Sequence, residues 1–461
     1  MNLWAESDNP DTETHIAPTR AGTRFIASAS ASSRDNAVLP ALRSWLLTDY
    51  VAPYCRSLAA TRIFRRCFWL DGLGGLRHMP KKAGESQGRE QGSGRDESRP
   101  YMFDNFVEAE QQTRDGSRPG KAAKKAQSEI LPPALQGVAA LAGELARESK
   151  PITLQAIALD NGKGGRVQDT FVLPKESTVI NATWREAAPA LLPAIEQFAT
   201  IFLLNPLAVA KPSVKNTIPF MTVDEFAALF QRTTPTELCL VMMHRQVESV
   251  LLPALRKPEG AAAFTALLRS DRWKALLARE GEDAQRVDKV IDLWLTALQP
   301  HFTFVQRIAF PVLIGPATVE DAPCSLVFAT RRQDSLVCMN DVVRDYRRRI
   351  EQESRRGILN EGWFAAQQAE RDMQALRQLS EDTLREGRAR APRRWSDLRQ
   401  QLLLERFGQW TLHEYDEVMC RLIQEDEVRC AWRQPEPADT SACRVPGNED
   451  VLQWQWKKRR Y

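Results

Sequence analysis

Four short apolar runs, separated by helical patterns, constrain this chain more than anything else in it. They are "RCFWLD" at 66–71, "ITLQAIALD" at 152–160, "TIFLLNPLA" at 200–208 and "TELCLVMM" at 236–243. None shows sustained polar–apolar alternation, so each is expected to be covered on both faces, as strands of buried parallel sheets are. Between them lie "SEILPPALQGVAALAGELARES", "REAAPALLPAIEQF" and "TVDEFAALFQR", whose apolar residues recur at helical spacing. A shorter strand, "STVINATW" (177–184), precedes the second of these helices. Strands alternating with helices predict an α/β fold with a doubly wound, Rossmann-like parallel sheet.

The flanks read differently. Residues 1–35 are rich in Ser, Thr, Ala and Asp without period and are expected to be a disordered tail. From Asn36 a helix is expected, with Leu42, Trp45, Leu46, Tyr50 and Tyr54 on one stripe. The run 81–125 is dominated by Gly, Ser and charge, and reads as a low-complexity insertion in an α/β domain spanning 36–343. Helices bearing Trp273 and Trp294 and two more strand candidates, "FTFVQRIAFPVLI" and "CSLVFATR", complete that domain. An arginine-rich helical segment follows at 344–394. Residues 395–461 then read as helix, turn, helix, strand and strand, a winged-helix-like order.

Composition narrows the function classes. With 461 residues, 43% of them hydrophobic, the chain can bury two or three domains' worth of core. A net charge of +4 does not by itself call for nucleic acid, but the position of the cations matters: arginines crowd 344–394 and the chain ends in "KKRRY". The eight cysteines include no CxxC pair and His is scarce, which argues against a zinc site and for reduced, packed thiols. No run reaches the roughly 18 apolar residues of a membrane span, and the N-terminus lacks a basic region followed by an apolar core. The expected location is the cytoplasm, with no membrane partner.

Ligands of doubly wound sheets bind outside the carboxyl ends of the strands. Four such ends carry informative residues here: Asp71 with Gly72, Gly74 and Gly75; Asp160; Asn181 with Thr183 and Trp184; and Asn205-Pro206-Leu207. A glycine turn lets the backbone approach a ligand closely, and an acid ending the next strand can accept both ribose hydroxyls. The plainer alternatives are a tight turn and a helix cap. His244, just after "CLVMM", is placed to act as a general base or to be a satisfied surface histidine. Absence of GxSxG and of a Walker A lysine gives Cys324 and Ser325 little weight as nucleophiles and argues against an NTPase.

Glycine turn, ribose acid and Asn-Pro corner, in this order, form the layout of a class I S-adenosylmethionine-dependent methyltransferase. The chain also resembles the three-Cys-motif partner family over roughly 40–460. The resemblance is carried by "DGLGG" (71–75), "AIALD", "NPLA" with "PFMTVDEFAALFQRTTPTEL", and "LVFATRRQDSLVCMNDVVR" (326–344). It implies a methyltransferase-like fold and S-adenosylmethionine as cofactor, bound by Asp71, Gly72, Gly74, Gly75 and Asp160. Asn205, Pro206 and His244 would then stand near the reacting group. It also implies a three-Cys-motif protein as partner, in bacterial or mobile-element systems.

The chain departs from that pattern at Arg77, where the last glycine of the turn is expected, and at Asn205, Leu207 and Ala208, where an acid, an aromatic and a glycine are expected. Two functions are open to it. One is a divergent methyltransferase acting on nucleic acid or protein. The other is a catalytically inactive protein of the same fold that binds a nucleic acid or a partner protein. For the nucleic-acid role the candidate contacts are Arg344, Arg347, Arg348, Arg349, Arg355 and Arg356, Arg393 and Arg394, and the terminal Lys457, Lys458, Arg459 and Arg460; interleaved glutamates also allow a solvated face at 344–356.

Overall fold

The computed structural model describes residues 31–74, 133–160, 173, 176–207, 221–278, 283–315, 318–355, 361–433 and 444–455. The 81–125 run, Gly75, Arg77, Ala208, Arg356, the terminal cations and all but the end of the expected tail lie outside these residues.

The chain enters through α1 (Ala31–Trp45), a π-helical turn (Leu46–Val51) and α2 (Ala52–Ala60), which run on as one helix. All five residues of the expected stripe, Leu42 to Tyr54, are buried. β1 (Arg66–Asp71), α3 (Pro133–Arg147), β2 (Thr153–Leu159), β3 (Thr178–Ile180), α4 (Trp184–Ala194) and β4 (Ala199–Leu204) follow. A 3-10 turn (Val223–Phe226) and α5 (Ala227–Phe230) then lead to β5 (Thr236–Met243). Thr183 opens α4 with a capping box: its hydroxyl accepts from the Glu186 amide, and the Glu186 carboxylate accepts from the Thr183 amide at 2.9 Å.

Four helices, α6 (His244–Arg256), α7 (Pro258–Leu268), α8 (Arg272–Ala278) and α9 (Asp283–Leu298), precede β6 (Phe304–Gly315) and β7 (Thr318–Thr330). The seven strands form one sheet in the order β3-β2-β1-β4-β5-β7-β6. β1 to β5 are parallel, as the apolar runs predict. β7 alone runs against its neighbours, because it pairs back on β6 with Gly315 opposite Thr318 and then slots beside β5. A close reversal of this kind can join only antiparallel strands.

Alternate side chains of each strand enter opposite cores. One face packs on α1, α2, α3 and α10 (Gln333–Ser354), the other on α4 and α6 to α9. Beyond α10 come α11 (Glu361–Arg390), α12 (Trp395–Glu405), α13 (Leu412–Gln424) and the antiparallel pair β8 (Val428–Ala431) and β9 (Val451–Trp454). Their core around Trp395, Tyr415 and Leu452 also takes in Phe304 of β6 and Leu336 of α10, so this C-terminal region is packed onto the sheet domain. Among the described residues, no helix is long and apolar enough to cross a membrane.

Candidate functional site

The strand order reverses between β1 and β4: the chain builds outward from β1 to β3, then returns to β4 and proceeds the other way. A crevice opens at the carboxyl ends of the strands at such a switch point. Asp71 is in register with Ala158 of β2 and Leu203 of β4. Asp160 and Asn205 therefore stand two residues past Asp71's partners on either side, so the three polar residues end adjacent strands at one edge of the sheet. All three are buried.

The glycine turn is held by a residue from outside the motif. Arg43, in the last turn of α1, donates from Nε to Asp71 Oδ2 at 2.7 Å and from Nη2 to Asp71 Oδ1 at 3.2 Å. Nη2 also donates to the Gly74 carbonyl at 2.5 Å, and Asp71 Oδ1 accepts from the Leu73 amide at 3.0 Å. Asp71 thus acts on the turn itself. The two described glycines serve different needs. Gly72 donates to the Leu203 carbonyl at 2.8 Å, and a Cβ there would meet Leu204 Cδ2 at 2.5 Å, so it is required by packing. Gly74 has φ +69°, the left-handed region that glycine reaches without strain. Gly75 lies outside the described residues. Asp160 closes β2, its amide donating to the Ile180 carbonyl at 2.9 Å.

On the β4 side, Asn205 Oδ1 accepts from the Leu207 amide at 3.0 Å and Nδ2 donates to Gln246 Oε1 at 2.9 Å. Pro206 is buried and its carbonyl accepts from the Met221 amide at 2.8 Å. Leu207, where an aromatic is expected from the resemblance, points into the core at 1% exposure.

His244 opens α6 at the same end of the sheet, two residues before the Gln246 that grips Asn205. Its Nε2 lies 3.0 Å from Ser325 Oγ on β7, to which Arg307 Nε donates at 3.1 Å. Arg307 in turn pairs with Asp288 of α9. Burial, and then the Arg307 cation, push the His244 imidazole below its ordinary pKa, so it is neutral at neutral pH and chemically able to accept a proton. Ser325 is fully buried, so it positions the ring and does not itself face a ligand.

Compared with protein-family models, curated proteins and solved structures, the chain matches none significantly.

Three residues of this constellation carry no signal in the sequence: Arg43, Gln246 and Arg307. Each is a polar residue in a helix or strand whose task is set by a partner 28, 41 or 18 residues away. The arginines of α10 are the converse case. Arg344 and Arg348 reach Glu414 of α13 at 3.7 and 2.5 Å, and Arg344 lies over the Trp410 ring. Arg347 donates to the Gly408 carbonyl, Arg349 pairs with Asp49, and Arg355 with Glu351. Arg344, Arg347, Arg348 and Arg349 thus tie α10 to α13, to the turn before it and to the π-helical turn, while Arg355 pairs within α10. Among the described residues no group of His, Cys, Asp and Glu could hold a metal ion.

Proposed function

We propose that this chain binds S-adenosylmethionine at the switch point and is a methyltransferase-like protein of the three-Cys-motif partner kind. The observation that carries the reading is the sheet order, with one antiparallel strand slotted between β5 and β6. That is the arrangement of class I methyltransferases. The glycine turn and Asp160 end neighbouring strands, as a cofactor spanning turn and ribose acid requires. In this reading Asp160 accepts from the ribose hydroxyls, and the turn at Gly72 to Gly74 admits the amino-acid end. The acceptor lies towards Asn205 and the first turn of α6, where His244 is neutral and able to take a proton.

Calorimetric titration with S-adenosylmethionine and S-adenosylhomocysteine tests this. Wild type should bind both, and Asp160→Ala should weaken both by about tenfold or more, the value of a lost buried acceptor. Binding that survives Asp160→Ala intact would displace the site, and no binding by wild type would end the cofactor reading.

A second reading, a binding protein without chemistry, is favoured by one observation. The Asn205 amide is engaged at both ends inside the protein, and Leu207 leaves no aromatic platform for an acceptor. Cofactor binding without methyl transfer, to a three-Cys-motif protein or to nucleic acid, is its signature. In the winged-helix reading of the C-terminal region, α11 to α13 precede the antiparallel pair of β8 and β9. As a groove reader the region would need the first turn of α13 free. That turn carries Glu414, which Arg344 and Arg348 of α10 engage; Asp341 accepts from its Leu412 amide, and Asn340 holds the Trp410 carbonyl just before it. We therefore assign the region to buttressing the sheet domain, with any nucleic-acid contact made elsewhere.

A further inference from the structure

We infer that the exposed face of α11 pairs with the same face of a second copy of this chain, the two helices antiparallel about a twofold axis beside Met373. The pairing is independent of cofactor binding.

Trp363 and Met373 stand on α11 at 59% and 55% exposure, two of the three most exposed large hydrophobic side chains among the described residues. Exposed apolar groups gathered on one face mark interaction surfaces. The Trp363 ring is already ordered, since Phe364 meets it edge-on with centroids 4.9 Å apart. The helix turns its other face inward. There Gln368 accepts from Arg355 Nη1 at 2.7 Å, Ala375 and Leu376 pack on the C-terminal core, and Leu379 is buried. Trp363, Ala366, Glu370, Met373 and Arg377 recur at alternating steps of three and four, so they form one stripe, and all five are exposed.

The charges of the stripe select its occupant. Neither Glu370 nor Arg377 makes an ion pair among the described residues. They stand two helical turns apart with Met373 between them. An antiparallel second copy, related by an axis between residues 373 and 374, brings Glu370 of each copy level with Arg377 of the other. Two opposite-charge contacts then form, and the two Met373 side chains meet at the axis. A parallel pairing would instead set acid on acid and cation on cation, which is repulsive. The small Ala366 lets the helices approach, and Trp363 reaches the turn of the second helix that carries Leu384, itself half-buried. An isologous contact of this kind closes with one patch used twice. A lipid surface would call for an apolar face rimmed by cations, whereas here an acid sits between the two apolar anchors. Two helices meeting over this length make a small interface, so the dimer is expected at micromolar concentrations.

Sedimentation equilibrium of the full chain, from low to high micromolar concentration, is the test, with circular dichroism to establish folding. Wild type should dimerise. Glu370→Arg or Arg377→Glu alone places like charges at both contacts and should weaken the dimer by about tenfold or more. The double variant Glu370→Arg/Arg377→Glu restores opposite charges and should return to within about threefold of wild type. An equimolar mixture of the two single variants should form a heterodimer of similar strength, since one copy then carries both cations and the other both acids. A wild type that stays monomeric would overturn the inference and leave the stripe to a different protein or a lipid surface. Self-association that neither single variant weakens would overturn it by placing the interface elsewhere. Weakening by both, with no rescue in the double variant or the mixture, would overturn the antiparallel register.

Discussion

Arg43 and Asp71 meet side-on inside the protein, Nε to Oδ2 at 2.7 Å, with side-chain exposures of 9% and 3%. The pair joins the entry helix to the end of the central strand. Removing one partner strands a buried charge, which costs about 3–5 kcal/mol, whereas replacing both by apolar groups costs far less. Urea denaturation should therefore show Asp71→Leu strongly destabilised and Arg43→Met/Asp71→Leu partly restored. Additive losses in the double variant would mean the two do not act as a pair.

Glu237, at the start of β5, makes stability pH-dependent. It is fully buried between Tyr50 and Thr330, and burial raises its pKa to about 7 against the hydrogen bonds that lower it. The folded state thus holds this proton more tightly than the unfolded chain does. The contribution is complete below the ordinary carboxylate range and is lost as pH rises towards and past 7. Glu237→Gln should be more stable than wild type at pH 8, by on the order of 1–3 kcal/mol, and about equal to it near pH 4. Thermal melts across that range are the measurement; parallel curves for the two proteins would refute it.

His244 should titrate below its ordinary value when followed by its ring protons in NMR, since burial and Arg307 both oppose the imidazolium. Arg307→Gln removes the cation and should move the midpoint upward. A midpoint unaffected by that change would show that Arg307 is not felt at the ring.

The α10 arginines are expected to support the fold and not a polyanion. Arg348→Gln breaks the contact to Glu414 and should lower the melting temperature. It should leave the salt dependence of any duplex DNA binding unchanged, where a true phosphate contact would remove about 0.9 from the log–log slope. A drop of that size would return the run to the nucleic-acid role.

Gly72→Ala must force Leu204 aside, because the new Cβ would stand 2.5 Å from its Cδ2. Overpacking of this kind costs about 1–3 kcal/mol. Gly74→Ala instead incurs the strain of a left-handed backbone, about 1–2 kcal/mol, and Gly74→Asn should recover part of it. Equal losses for Ala and Asn at 74 would point to crowding there as well.

The sheet's parallel strands were legible because burial on both faces leaves a local mark: an unbroken apolar run such as "TELCLVMM" can be read without knowing its neighbours. The stripe from Leu42 to Tyr54 was legible for the same reason, since helical period is also local. The strand-end residues Asp71, Asp160 and Asn205 could be picked out because polar residues that end apolar runs mark where strands stop. Which of those ends share a crevice was not written in any segment, because strand order depends on pairings between distant parts of the chain. Nor was the use of Arg43, Gln246 or the α10 arginines. A charged side chain on a helix reads the same whether it meets water or a buried carboxylate, and only the packed fold brings Asp71 to Arg43 and Glu414 to Arg348. The order of residues sets where apolar runs lie, how they recur and where they end. Packing sets which charges meet, because desolvation and ion pairing depend on distance in space and not along the chain.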